Sequence, residues 1–235
     1  TIIREIVPAM TALAPEAIDS RGFGPILHTH NLVIGYNTRL LTVAPPVSWA
    51  DLWDARFKGL VVPGAIELTP GLLFLLQANK MNGGDYLHLD PGFDALKRLA
   101  PNKYFHTIGE VRPMVAQQNV VVAISSNMLH AEMQQGGPVA MVFPAEGCLA
   151  SPAVAQVVKG TPQKKLAETF IDFYLRPEAQ LGWARDYNVS VFNTRANVPG
   201  DVRARIADKT VFFDGNEVAK RRAGWVDRWM REIRG

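Results

Sequence analysis

Apolar runs separated by short polar steps divide the chain into predicted elements. ILHTHNLVIGYNT, residues 26–38, is dense in Ile, Leu, Val and Tyr and predicts one long strand or a strand pair. Ahead of it, Pro8, Pro15, Gly22, Gly24 and Pro25 break any long element, so residues 1–25 are expected to be irregular. APPVS then forces a loop, and VSWADLWDARFKGLVV, residues 47–62, reads as a short helix turning straight into a strand. Ser48 and Asp51 have the spacing of a capping box, with Asp as a shorter substitute for Glu. KGLVVPG predicts a short buried strand. LTPGLLFLLQANKM predicts a helix with Thr69 near its cap and Pro70 in its first turn. GFDALKRLA and IGEVRPMVAQQ read as two more helices. The β-branched run VVVAISS is a buried strand, and MLHAEMQQGG a helix stopped by Gly136 and Gly137. VAMVFP and VAQVVKG predict further strands. TPQKKLAETFIDFYLRPEAQLGWARD is helical, with Pro162 at its start and a break at Pro177. From Asp201 onward the tail is expected to be an amphipathic helix, with Trp225 and Trp229 spaced i, i+4.

Strands alternating with helices imply α/β architecture with a mixed or parallel sheet. Ligands in such folds sit where strand ends meet helix N-termini. The 235 residues suffice for one large domain or two small ones. No stretch approaches the roughly 20 apolar residues of a membrane span. The opening TIIREIVPAM lacks the basic start and apolar run of a signal peptide, so the chain reads as mature or truncated. Its net charge of +3 favours anions weakly and does not indicate nucleic acid. A single cysteine, Cys148, excludes an intrachain disulfide framework and a multi-cysteine metal site.

Catalytic signatures are sparse. There is no G-x-S-x-G elbow, and no histidine carries a local signature that would partner Cys148, so a small buried or cleft-lining role is favoured for it. His28 and His30 would share one face of a strand, which could be half of a metal site. No third ligand is predictable, and a hydrogen-bonded polar role is favoured. Phosphate-loop, Rossmann and zinc spacings are absent, so neither cofactor nor metal is assigned. Two strand-to-helix steps carry sharper promise. At Thr69-Pro70-Gly71 a helix start would offer unpaired N–H groups to a carboxylate or phosphate, with a plain capping role for Thr69 an equal alternative. Ser125, Ser126 and Asn127 form a second polar step, again against the alternative of a simple cap. The basic, Trp-bearing C-terminus is interrupted by Asp227 and Glu232. It reads as a helix with a buried face, and no nucleic-acid partner is expected.

NLVIGYNTRLL followed by PPVSWADLWDARFKGLVVPG resembles the bacterial extracellular solute-binding proteins that serve ABC importers, in the branch of polyamine, iron and phosphonate binders. Gly35, Tyr36, Asn37, Thr38, Ser48, Trp49, Asp51, Leu52, Trp53, Asp54, Phe57, Lys58 and Gly59 stand in the positions of that pattern. The segments around VVVAISSNMLHAEM, VVKGTPQKKLAETFIDFYLRPEAQ and YNVSVFNTRA are similar to later parts of the family, and the resemblance covers residues 26–200.

The resemblance implies a type II periplasmic-binding-protein fold, α/β with two lobes and mixed sheets. Members begin with a β-α-β-α-β unit that is not found here, so the first lobe is expected to be largely missing from this chain. Expected boundaries are 1–36 for a first-lobe fragment and hinge strand, 37–145 for the second lobe, 146–180 for a return into the first, and 181–235 packing mainly on the second. The implied activity is binding, not catalysis. A small polar solute is captured in an interlobe cleft and delivered to an ABC permease in the inner membrane, by a periplasmic protein that is monomeric when full length. By position, ligand contacts would come from Thr29, His30 and Asn31, from Glu67, Thr69 and Gly71, and from Ser125, Ser126 and Asn127. Ser151 and Ser190 follow as weaker candidates. The late segment supplies only Tyr187 where iron-binding members carry adjacent tyrosines, and no carboxylate stands where polyamine binders place one. An anionic or zwitterionic solute such as a phosphonate or carboxylate is therefore favoured, although Glu67 could receive an ammonium group. Polyamine or ferric-ion binding, or an enzyme using Cys148 on the same fold, are the alternatives.

Overall fold

The apolar run near the start of the chain forms one long strand, β1 (Ile26–Asn37), and not a hairpin. The structure is a computed structural model that describes residues 7–18, 24–203 and 209–233. Two short 3-10 turns, Pro8–Ala12 and Pro15–Ala17, precede β1, in keeping with the irregular start expected; residues 1–6 and 19–23 lie outside the described residues. After β1 come β2 (Val61–Val62), α1 (Thr69–Met81), α2 (Asp90–Leu99) and α3 (Val111–Gln117). Then β3 (Val121–Ser125) runs directly into α4 (Ser126–Gln134), followed by β4 (Val139–Val142) and β5 (Cys148–Val154). Two helices, α5 (Lys164–Leu175) and α6 (Pro177–Tyr187), meet at the Pro177 break. The chain closes with α7 (Gly200–Arg203), β6 (Thr210–Val211) and α8 (Gly215–Glu232).

The sheet is mixed, in the order β2-β3-β1-β5-β6 with β4 also on β1. β1 is antiparallel to β3 and β4, whereas β2 lies parallel to β3 and β5 parallel to β6. The chain divides into two compact units, Thr1–Asn31 with Ser151–Asp208 and Leu32–Ala150 with Lys209–Gly235. The divisions thus fall after residues 31, 150 and 208, where the sequence reading placed them after 36, 145 and 180.

In the second unit, VSWADLWDARFKGLVV, where a short helix was expected, folds as two 3-10 turns, Ala50–Trp53 and Ala55–Phe57. The capping box forms all the same. Asp51 N donates to Ser48 Oγ at 3.1 Å, while Ser48 N and Val47 N donate to Asp51 Oδ2 at 3.2 and 2.7 Å. Trp49 is wholly buried and its Nε1 donates to the Gly147 carbonyl at 2.9 Å. Glu146 accepts from Trp49 N and Ala50 N, so these first N–H groups of the turn have a partner. Trp53 donates from Nε1 to Ala95 O and stacks on Phe74 with ring centres 5.6 Å apart. A buried indole is tolerated only when its N–H finds an acceptor, and both tryptophans have one. At Gly59 a φ of +76° turns the chain into β2, a conformation that costs a side-chain-bearing residue about 1 kcal/mol or more.

Two expectations about the tail and β5 need correction. VAQVVKG does not make a strand beyond Val154; the strand is CLASPAV, whose small residues carry little apolar signal. The tail is not one helix from Asp201. β6 interrupts it, residues 204–208 lie outside the described residues, and Asp214 starts α8 by accepting from Asn216 N and Glu217 N. Trp225 and Trp229 are buried, and the basic residues around them pair with acids, Arg228 with Asp90 and Glu232 among them.

The first unit is held by Val7, Met10, Leu13, Ile171, Leu175 and Phe192. Gln180, wholly buried, ties three strands of chain together. Its Nε2 donates to Leu27 O at 2.8 Å, and its Oε1 accepts from Phe192 N at 3.0 Å.

Candidate functional site

The first unit gathers the polar residues of β1 with the segment after α6. Asn188 ends α6 in the left-handed conformation and redirects the chain so that Ser190 runs alongside Thr29. Thr29 N donates to Ser190 O at 2.8 Å and Ser190 N to Thr29 O at 3.0 Å. Asn31 adds a side-chain link, Nδ2 donating to Ser190 Oγ at 2.7 Å. Thr29 and Asn31 are fully buried, yet Thr29 Oγ1 and Asn31 Oδ1 meet no hydrogen-bond partner among the described residues. A buried polar atom left so costs about 1–3 kcal/mol, and a bound molecule is one way to recover it. Thr29, Asn31 and Ser190 are thus brought together, while Ser151 lies half-buried in β5.

His30 turns toward a different set. Its Nε2 faces His28 Nε2 at 3.3 Å, and His28 Nδ1 is 2.7 Å from the Tyr174 hydroxyl. Trp183 stacks on His28 and on Tyr174, with ring centres 5.2 and 4.8 Å away, and Tyr187 lies 4.5 Å from Trp183. Burial, and then the charge of His30, lower the pKa of His28 to about 4. Burial raises that of Tyr174. Sequence reasoning missed Gln180, Tyr174 and Trp183. The one available signal was the i, i+4 spacing of Trp183 and Tyr187 on a helix.

In the second unit β2 and β3 are parallel neighbours, Val61 beside Val121 and Val62 beside Val122. The turns that follow them therefore leave the same edge of the sheet, which is where α/β folds place ligands. The first turn carries Glu67, Thr69 and Gly71; the second carries Ser125, Ser126 and Asn127. Thr69 is the first residue of α1 and does not cap it. The cap position is Leu68, without a side-chain bond, and Thr69 is left exposed. Glu67 is exposed, and its carbonyl accepts from Arg222 Nη2 at 2.7 Å. Gly71 is where α1 begins close to the preceding chain: a Cβ there would stand 2.2 Å from Ala65 O. Gly71 is a packing requirement, whatever else it does. Ser125 occupies the cap position of α4 without bonding an N–H, Ser126 is fully buried, and Asn127 Oδ1 is buried with no hydrogen-bond partner among the described residues. Cys148 is buried, and burial pushes its thiol up to about 12, so it is protonated and inert at neutral pH.

The pattern of the bacterial extracellular solute-binding proteins matches residues 9–217. The chain belongs to that family. Among its relatives is the gamma-aminobutyric acid-binding protein of Pseudomonas aeruginosa, 29% identical over 233 residues that cover 87% of this chain and 64% of that protein. A protein of Salmonella typhimurium named "Putative 2-aminoethylphosphonate-binding periplasmic protein" is 31% identical over 156 residues, 62% of this chain and 44% of its own length. The chain thus spans less than two thirds of either relative. In structure it is similar to an ABC transporter protein from Clostridium perfringens, with a TM-score of 0.82 and 21% identity over 99% of this chain and 77% of that one. The structure described as the Atu4243-GABA receptor gives a TM-score of 0.79 at 20% identity, covering 97% of this chain and 73% of that one. These likenesses establish the periplasmic-binding-protein fold that the sequence led us to expect, α/β with a mixed sheet.

Proposed function

We propose that this chain belongs to the periplasmic binding component of an ABC import system and takes a small zwitterionic solute for delivery to an inner-membrane permease. The observation that carries the solute class is the pairing of two chemistries among the candidate residues. In the second unit Asn127 Oδ1 is a buried acceptor with no hydrogen-bond partner among the described residues, and an ammonium group supplies a donor. The first turns of α1 and α4 offer backbone N–H groups and the positive end of a helix dipole, which suit a carboxylate or phosphonate. An amine joined to an acid satisfies both sets, and 4-aminobutyrate and 2-aminoethylphosphonate, the solutes named for two relatives, have that form.

A polyamine fits less well. Each ammonium taken from water needs a compensating charge or a full set of acceptors. Among the candidate residues the only carboxylate is Glu67, which is exposed. Nor does anything in the set support turnover, since Cys148 is buried and protonated.

Titration calorimetry with 4-aminobutyrate, 2-aminoethylphosphonate, butyrate, ethylphosphonate and putrescine tests the reading. At least one of the two zwitterions is expected to bind, with the amine-free analogue weaker by about 100-fold because the buried amide oxygen is again left unpaired. Putrescine binding more tightly than both zwitterions, or equal affinity for butyrate and 4-aminobutyrate, would overturn it.

A further inference from the structure

His28 and His30 alternate along β1 with Thr29 between them, so both rings leave the same face of the strand. Their Nε2 atoms are 3.3 Å apart, the ring centres 4.9 Å, and the planes cross at 89°. Two imidazole nitrogens bound to one tetrahedral ion stand about 3.3 Å from each other, for bonds of about 2.0–2.1 Å.

The His28 ring is held in that pose by neighbours. With the Tyr174 hydroxyl 2.7 Å from His28 Nδ1, the tautomer carrying its proton on Nδ1 can donate to the phenol oxygen and leave the Nε2 lone pair free. Trp183 stacks on the same ring at 12° between planes and blocks its rotation. This is the support that metal-bound imidazoles require: an acceptor for the remote nitrogen and a packed face.

We infer that His28 and His30 together seat one divalent transition-metal ion, of the zinc, nickel or copper class that imidazole prefers. No group of three His, Cys, Asp or Glu residues is placed to hold a metal among the described residues, so the chain supplies two ligands and water or an acid oxygen of a bound molecule supplies the others. The inference is independent of the solute proposed above, because it concerns the ion with no solute present.

The test is calorimetric titration of the chain with nickel chloride at neutral pH, repeated with His30→Gln, His28→Gln, Tyr174→Phe and His88→Ala. One equivalent should bind with a dissociation constant below about 0.1 mM, and each histidine variant should weaken it by at least about 10-fold. Tyr174→Phe, which retains the ring but removes the acceptor, should weaken binding several-fold, and His88→Ala should leave it unchanged. Copper(II) added to the chain should show nitrogen hyperfine structure from two imidazoles by electron paramagnetic resonance, reduced to one in His30→Gln. His30 is the less buried of the two, and circular dichroism of His30→Gln identifies any loss that comes from unfolding; if that variant fails to fold, the copper spectrum of the unaltered chain decides. Absence of a bound equivalent up to about 1 mM, retention of the affinity in folded His30→Gln, loss in His88→Ala, or a copper spectrum without two coupled nitrogens overturns the inference.

Discussion

Asn31 and Ser190, 159 positions apart in the chain, are joined by a side-chain hydrogen bond of 2.7 Å that uses only the amide nitrogen of Asn31. The amide is thereby oriented, and its oxygen is fixed in a buried position with no partner among the described residues. Replacing Asn31 by Leu removes the acceptor, and solute binding should fall by at least about 10-fold, as expected when a charge-assisted bond of about 1.5–3 kcal/mol is lost. Ser190→Ala frees the amide without deleting it and should cost less affinity than Asn31→Leu. Calorimetry on both, with the best-binding zwitterion, checks the order; equal losses would mean that the pair is merely structural.

Ser126 and Thr69 separate two kinds of candidate. Ser126 is fully buried at the start of α4, whereas Thr69 is exposed at the start of α1 and caps nothing. Thr69→Ala should therefore leave stability within about 0.5 kcal/mol, so that any loss of affinity is a loss of contact. Ser126→Ala should lower both stability, by about 1 kcal/mol, and affinity. Urea titrations beside calorimetry measure the two effects; unchanged affinity in both variants would remove these residues from the site.

Trp49 shows what scaffold looks like. Trp49→Ala should destabilise the second unit by about 3–5 kcal/mol, the cost of emptying a large buried site. Trp49→Phe should cost less but still more than 1 kcal/mol, because the Gly147 carbonyl loses its donor. Chemical denaturation followed by circular dichroism would measure both, and a change below 1 kcal/mol for Trp49→Ala would contradict the packing described.

Glu232 gives a pH dependence with a definite sign. It accepts from Arg228 Nε and from Lys97 Nζ, both at 2.6 Å, and these bonds hold its pKa at about 2, below the ordinary value of 4.5. A carboxyl with a depressed folded-state pKa contributes stability at pH above about 4.5 and loses it as the pH falls toward about 2. The stability difference between the unaltered chain and Glu232→Gln should accordingly be present at pH 7 and shrink through that window. A difference that grows on acidification would mean that the ion pair does not form.

Much of this molecule is written in local pattern. The Ser48–Asp51 box, the break at Pro177 and the shared face of His28 and His30 depend on neighbours within a few residues, and each stands where the spacing put it. What escaped the sequence is of two kinds. β5 is built from Cys, Ala, Ser and Pro, whose side chains are too small to register as an apolar run, so its strand was sought too late. The partnerships of Asn31 with Ser190 and of His28 with Tyr174 cross more than a hundred positions and carry no periodic trace. Thr69 failed for a subtler reason: Leu68 took the cap position, so a residue of the right type stands one place too far along.

The indole of Trp49 finds its acceptor 98 residues further along, and Glu146 beside that acceptor holds the turn's first N–H groups. A nascent chain therefore carries a large unsatisfied aromatic ring for the whole time that the intervening residues are being made, several seconds or more at about 5–20 residues per second. Until residue 147 arrives the second unit cannot close over it. With the other four tryptophans replaced by Phe, the fluorescence of Trp49 would report when that closure happens.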